Sequence, residues 1–188
     1  MEASGEESRN PPLRRRAMSK QTLSYQEAFV ETTRLLEGPG ALLNGVRDDG
    51  AVNTMTIGWA TFGVIWGRPI AVVFVRPSRY TYEFMEATPD FTINVLPDTM
   101  GKALAFCGTR SGRDVDKFAE CDLTLVPGRE IRTPSIEEAS IVYECRTLHH
   151  NDLDPGSLDP SVRESYYPSG DFHRCYYGEI VACYGSLG

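Results

Sequence analysis

The longest uninterrupted apolar run in this chain, Ile70–Val75 (IAVVFV), is six residues of largely β-branched type. That length suits one strand buried on both faces and falls far short of a membrane-spanning helix. A chain whose longest apolar run is one strand must build its core from several such strands. The residues flanking the run are of a different kind. Before it come small polar groups and an aromatic: Asn53, Thr54, Met55, Thr56, Gly58 and Trp59. After it comes Arg76-Pro-Ser-Arg-Tyr-Thr81, in which Ser78 is a natural helix N-cap and Arg79 and Thr81 fall in the first turn. Free N–H groups at a helix start, a pair of hydroxyls and two arginines are what a phosphate monoester binds.

The rest of the chain reads as short antiparallel strands with sporadic helices. Ser24 and Glu27 form a capping box for a helix that Gly38-Pro39-Gly40 ends. Ala41 to Arg47 and a segment from Val52 flank a turn at Asp48-Asp49-Gly50, and a turn near Gly67-Arg68-Pro69 leads into Ile70–Val75. A helix from Ser78 to about Glu86 is broken at Pro89-Asp90, and Phe91, Ile93 and Val95 alternate as a half-buried strand. Asp98 is expected to cap a helix carrying Met100, Ala103, Leu104 and Cys107, before the glycine-rich, charged segment 108–118. Leu123 to Val126 and Ile141 to Leu148 read as strands. His149 and His150 beyond them should face opposite ways, as surface groups unable to share one metal. Residues 151–171, rich in Pro, Gly, Asp and Ser, read as a long loop of the kind used for lids or dimer arms. A last strand ends near Tyr184. With no βαβα alternation and no G-x-G-x-x-G, the pattern is mainly β and barrel-like, not a dinucleotide-binding sheet.

Charge and cysteines narrow the function classes. A formal charge of −7 argues against a nucleic-acid backbone as partner. Five cysteines, an odd number without a C-x-x-C pair, fit reduced thiols in a cytoplasm better than a disulfide framework or a zinc site. Cys145 and Cys183 lie in strand-like runs and read as small buried hydrophobes. Arg14-Arg15-Arg16 is followed by AMSKQTLS, which has no apolar stretch, so it does not read as an export signal. Residues 1–20 are expected to be a polar, disordered leader, with Met18 an alternative start, and 21–188 a single domain.

Three segments in register carry a resemblance: Asn53-x-x-Thr56-x-x-Trp59 followed by a strand and Ser78-Arg-Tyr-Thr81; Ser111-Gly-Arg-Asp-x-x-Lys117-Phe118; and His173-x-x-Tyr176-x-Gly178-Glu-Ile180. Together they resemble the flavin reductase-like family, and within it the flavoredoxins, over roughly Leu35 to Tyr184. The resemblance implies a six-stranded antiparallel Greek-key split β-barrel with a few short flanking helices. It also implies a homodimer holding FMN at or near the subunit interface, with Trp59, Phe62 and Trp66 as interface aromatics. The residues it places around FMN are Asn53, Met55, Thr56, Trp59, Arg76, Ser78, Arg79, Tyr80, Thr81, Ser111, Lys117 and His173. Its chemistry is the flavin's own, so no catalytic side chain is nominated; NAD(P)H or a small redox protein would exchange electrons with FMN. The alternative is a non-enzymatic FMN or small-ligand module on the same barrel. A pyridoxamine-phosphate oxidase-like role is weaker, since the chain ends in SLG without that family's C-terminal arginine.

Overall fold

Short apolar runs separated by Gly, Pro and Asp turns close into an antiparallel sheet. The structure, a computed structural model, describes residues 20–187. The leader expected over residues 1–20 lies outside these apart from Lys20. In chain order the elements are β1 (Gln21–Thr22), α1 (Tyr25–Leu36), β2 (Ala41–Val46), β3 (Val52–Ile57), β4 (Ala60–Ile65) and β5 (Arg68–Val75). Then follow α2 (Tyr80–Ala87), β6 (Asp90–Val95), a 3-10 turn (Asp98–Met100), α3 (Gly101–Thr109) and α4 (Lys117–Glu120). The chain finishes with β7 (Leu125–Val126), β8 (Ser135–Ile136), β9 (Ile141–Asp152), α5 (Pro160–Tyr166) and β10 (Arg174–Gly185). Eight strands form one sheet in the order β3-β2-β6-β9-β10-β5-β4, with β1 added to β10; β7 and β8 pair separately. The mainly β, antiparallel split-barrel architecture is therefore present, with more strands than the six of the resemblance. Among the described residues no helix is long and apolar enough to cross a membrane.

The core sits where the strands' inward residues meet α1. Ala28 and Leu35 of α1 pack with Leu43, Val73, Val75, Phe91, Ile93, Tyr143 and Tyr176 in one buried cluster. Ile70 to Val73 and Val75 are buried, as the apolar run requires, and only Phe74 of that run is half-exposed. Cys145 and Cys183 are buried on β9 and β10, and all five cysteines are free thiols. The capping box forms as its sequence demands. Ser24 Oγ accepts from Glu27 N at 3.2 Å, while Glu27 Oε2 accepts from Ser24 N at 2.8 Å.

Several local expectations are corrected. Helix α2 begins one residue later than Ser78 would set it: Arg79 is its N-cap and no side chain caps it, because the Ser78 hydroxyl is taken by Asp171. Asp98 caps nothing; it lies in the 3-10 turn and pairs with Arg34 at 3.1 Å. The 151–171 stretch is not all loop. β9 runs on to Asp152, and Asp159, accepting from Ser161 N at 2.9 Å, starts α5 with Pro160 in its first turn. His149 and His150 are exposed but lie inside β9, and their rings are 6.5 Å apart and 14° from parallel. A bulge falls at Leu148, where Tyr177 pairs with His149 but Gly178 with Thr147. Gly58 and Trp59 split one expected stretch into β3 and β4.

One buried carboxylate ties the connection after β7 to the barrel. Glu144, fully buried on β9, accepts from Arg129 N and Glu130 N, each at 2.7 Å, and from Tyr184 Oη at 2.8 Å. Truncating it removes the acceptor of two backbone N–H groups and leaves the Tyr184 hydroxyl only its 3.1 Å contact with Ser135 Oγ. Glu144→Ala is expected to cost roughly 3–5 kcal/mol in urea denaturation, with Glu144→Gln retaining part of the loss. A cost under ~1 kcal/mol for the alanine variant would show that this contact does not hold the connection.

Candidate functional site

Strand β3, the start of α2 and the loop after α3 converge on one point. Asn53, 5% exposed, donates from Nδ2 to Thr81 Oγ1 at 2.8 Å, tying the strand to the first turn of α2. Gly112 presses against the other side of the same amide: a Cβ there would come within 2.0 Å of Asn53 Oδ1. Further along the same strand, Thr56 Oγ1 donates to Leu104 O at 2.6 Å and anchors α3. Lys117, 4% exposed, reaches back from α4 to donate to Thr54 O at 2.8 Å and Cys107 O at 2.9 Å. Burial lowers its pKa below the usual lysine value, with Arg79 acting in the same direction.

These ties enclose a cleft of about 230 Å³ lined by Asn53, Thr56, Arg79, Thr81, Ser111 and Lys117 among others. A second cleft of about 220 Å³, lined by Trp59, Phe74, Arg76 and His173, shares Met55, Thr56 and Arg79 with the first. All twelve residues singled out in the sequence line one cleft or the other. The loop also contributes Arg110, outside the Ser111–Phe118 motif, and Gly112 and Arg113, which lie within it but are not among the residues the resemblance places around FMN. The available signal was arginine beside glycine directly after a helix.

The electrostatics of the two clefts are one-sided. Among the described residues five cations line them (Arg76, Arg79, Arg110, Arg113 and Lys117) and no Asp or Glu does, in a chain whose acidic residues outnumber its Lys and Arg by 26 to 19. Arg113 is paired with Glu83 and lies over the Tyr80 ring at 4.6 Å. Among the described residues the guanidinium groups of Arg79 and Arg110 have no hydrogen-bond or ion-pair partner. The backbone N–H groups of Tyr80 and Thr81, at the start of α2, likewise have none. Such a set of donors suits an anion.

The 153–172 arm packs beside the second cleft, against Arg76 and Trp59 of its lining. Arg76 donates to Asp171 O at 3.0 Å and Tyr166 O at 2.8 Å, clasping the arm to the end of β5. Asp171, with φ +57°, accepts from Ser78 Oγ at 2.6 Å and Ser78 N at 3.3 Å. Ser78 is thus committed to a carboxylate of the same chain, which leaves Arg79 and the first N–H groups of α2 as the free anion donors. Trp59 packs on Tyr166 at 5.2 Å and on His173 at 4.9 Å. Phe62 packs into the core against Tyr143 at 4.9 Å, whereas Trp66 is 59% exposed on the β4–β5 turn.

Comparison with known proteins places this geometry. The profile of the flavin reductase like domain matches residues 34–187. The chain belongs to the flavin reductase-like family. Its barrel is similar to the flavoredoxin of Methanosarcina acetivorans (28% identity, TM-score 0.60, covering 78% of this chain and 68% of that one). It is similar also to an FMN-binding protein of Thermus thermophilus solved with bound 1-cyclohex-2-enone (25% identity, TM-score 0.61, 79% and 71%). An uncharacterized protein of Pyrococcus abyssi is 32% identical over 107 residues, 56% of this chain and 60% of that relative's length.

In this flavin reductase-like domain His173 is a neutral residue. It is 8% exposed, and burial first, then the Arg76 and Arg79 charges, push its pKa down to about 4, with Asp171 opposing. Its Nδ1 lies 2.7 Å from Tyr167 Oη. Because its folded pKa is below the ordinary value of about 6.5, the unfolded chain takes up this proton more readily. Stability from this group is therefore intact above pH ~6.5 and is lost as pH falls toward 4, by roughly 3 kcal/mol in total. Urea denaturation at pH 7 and pH 4.5 should show a smaller acid loss for His173→Gln than for the wild type. Equal losses would mean that His173 titrates as an ordinary histidine.

Proposed function

We propose that this protein is an FMN-dependent oxidoreductase, an NAD(P)H:flavin reductase or a flavoredoxin-like electron carrier, with the phosphate in the first cleft and the flavin ring toward the second. One observation carries the reading: two adjoining clefts share Arg79, carry five cations and no acid among the described residues, and sit on a protein of net charge −7. A phosphate dianion fits the free donors. These are the Arg79 and Arg110 guanidinium groups, the Tyr80 and Thr81 N–H groups, and the Ser111 hydroxyl in the facing loop. Further support comes from the relatives named for FMN or as flavoredoxins.

When bound, the flavin supplies the redox chemistry, taking or returning electrons in pairs or singly. The chain's residues bind, orient and shield. Lys117 spends two N–H groups on Thr54 O and Cys107 O and keeps a third for a ligand at the back of the first cleft. Trp59 and Phe74 give the second cleft an apolar wall against which a planar ring can lie. No side chain is asked to act as nucleophile or general acid. NAD(P)H or a small redox protein, in the cytoplasm, is the proposed electron partner. A homodimer is proposed as well, through the edge strand β4, whose Val64 and neighbouring Trp66 are 65% and 59% exposed. A solution mass of a single chain, for protein that retains flavin, would count against it.

The anchor is tested by Arg79→Ala. Losing one charge-assisted contact of roughly 1.5–3 kcal/mol should weaken FMN binding by about tenfold to a hundredfold. Riboflavin, which has no phosphate, should be affected far less. Equal losses for FMN and riboflavin with the fold intact would remove Arg79 from the phosphate site.

A further inference from the structure

The arm packed beside the second cleft contributes a buried phenol whose hydroxyl has one partner among the described residues. Tyr167, 4% exposed, ends α5, stacks on Phe172 at 4.8 Å and lies under the Arg76 guanidinium at 4.9 Å. Among the described residues its hydroxyl bonds only to His173 Nδ1, at 2.7 Å. Two arrangements satisfy that distance. If Nδ1–H donated to the phenol, the phenol's own proton would be left without an acceptor in a buried position, at the cost of a lost hydrogen bond. If the phenol donates, its proton is satisfied by Nδ1 and the imidazole proton resides on Nε2, which is not fully buried. The second arrangement wins on that count.

The other nitrogen is the one that faces the cleft. His173 lines the second cleft, and its Nε2 has no hydrogen-bond partner among the described residues. Yet Nε2 is not among the fully buried side-chain atoms without partners, which are Asn44 Oδ1 and Arg47 Nε. It is therefore open to the cleft. The charged groups facing His173 are Arg76 and Arg79 from the β5–α2 connection and Asp171 from the arm, and the balance keeps the ring neutral.

We infer that Tyr167 is a positioning residue that locks His173 as a neutral Nε2–H donor, aimed at an acceptor atom of a planar heteroaromatic ligand in the second cleft. The ligand class follows from the walls: Trp59 and Phe74 offer faces for a ring, while Nε2–H and the two arginines offer only donors. A ring edged with carbonyl oxygens or unprotonated nitrogens meets both requirements. The identification of that ring with the flavin rests on the function proposed above; the tautomer does not.

Two measurements separate these layers. In ligand-free protein labelled with 15N-histidine, the His173 imidazole should show a protonated Nε2 and an unprotonated Nδ1 at pH 7. Tyr167→Phe should shift this toward a mixture containing Nδ1–H. An Nδ1–H ring in the wild type, or a tautomer indifferent to Tyr167→Phe, overturns the inference. In the second measurement, riboflavin titrations should show roughly fivefold to tenfold weaker binding to Tyr167→Phe, about the worth of one neutral hydrogen bond. His173→Phe should show at least the same loss. Riboflavin binding unchanged in both variants overturns the aim of the donor at the ring. If the wild type shows the Nε2–H tautomer but binds no flavin, the flavin reading fails while the Tyr167 lock stands.

Discussion

The site depends on one amide held between two neighbours. Asn53 donates to Thr81 on one side and is pressed by Gly112 on the other, so strand β3, the start of α2 and the glycine-rich loop are fixed relative to one another through a single side chain. Without that contact the free donors of Arg79, Arg110 and the α2 N–H groups would have no common focus. Because Asn53 and Thr81 are both buried, their hydrogen bond is formed away from competing water, where leaving either group unpaired is costly. Gly112 is required by this close approach and not by an unusual φ.

The second half of the site is organised by the arm. Arg76, which the sequence offers as a phosphate ligand, instead spends its guanidinium on the carbonyls of Tyr166 and Asp171. Asp171 in turn occupies Ser78. The arm thus brings its own carboxylate to the edge of a cationic site, neutralises part of it and leaves Arg79 as the shared free charge of the two clefts. Of two arginines three residues apart, one clasps the arm and the other keeps its guanidinium without a partner among the described residues.

Much of the site was legible in the chain because its motifs are local. Asn53-x-x-Thr56-x-x-Trp59 and Arg79-Tyr-Thr81 sit at the ends of strands that periodicity alone identifies, and all of them line the clefts. What the sequence did not yield depends on contacts between distant segments. Ser78 has the chemistry of an N-cap, but Asp171, 93 residues away, takes its hydroxyl. The resemblance alone places Lys117 around FMN; the two backbone carbonyls from β3 and α3 that hold it inside come from segments its own charged loop does not reveal. The 151–171 stretch has loop composition because its helix α5 is short, exposed and polar, so no apolar periodicity marks it. Tyr167 could not have been singled out by pattern, since its importance lies in one hydrogen bond to His173.

The central claim is that the two clefts form one site for one phosphorylated flavin. A crystal structure of the protein grown with FMN tests it most directly. The phosphate should lie within hydrogen-bond distance of Arg79 and the first N–H groups of α2, with the ring reaching the Trp59–His173 wall. A flavin bound elsewhere, or one whose phosphate lies away from Arg79, would contradict it.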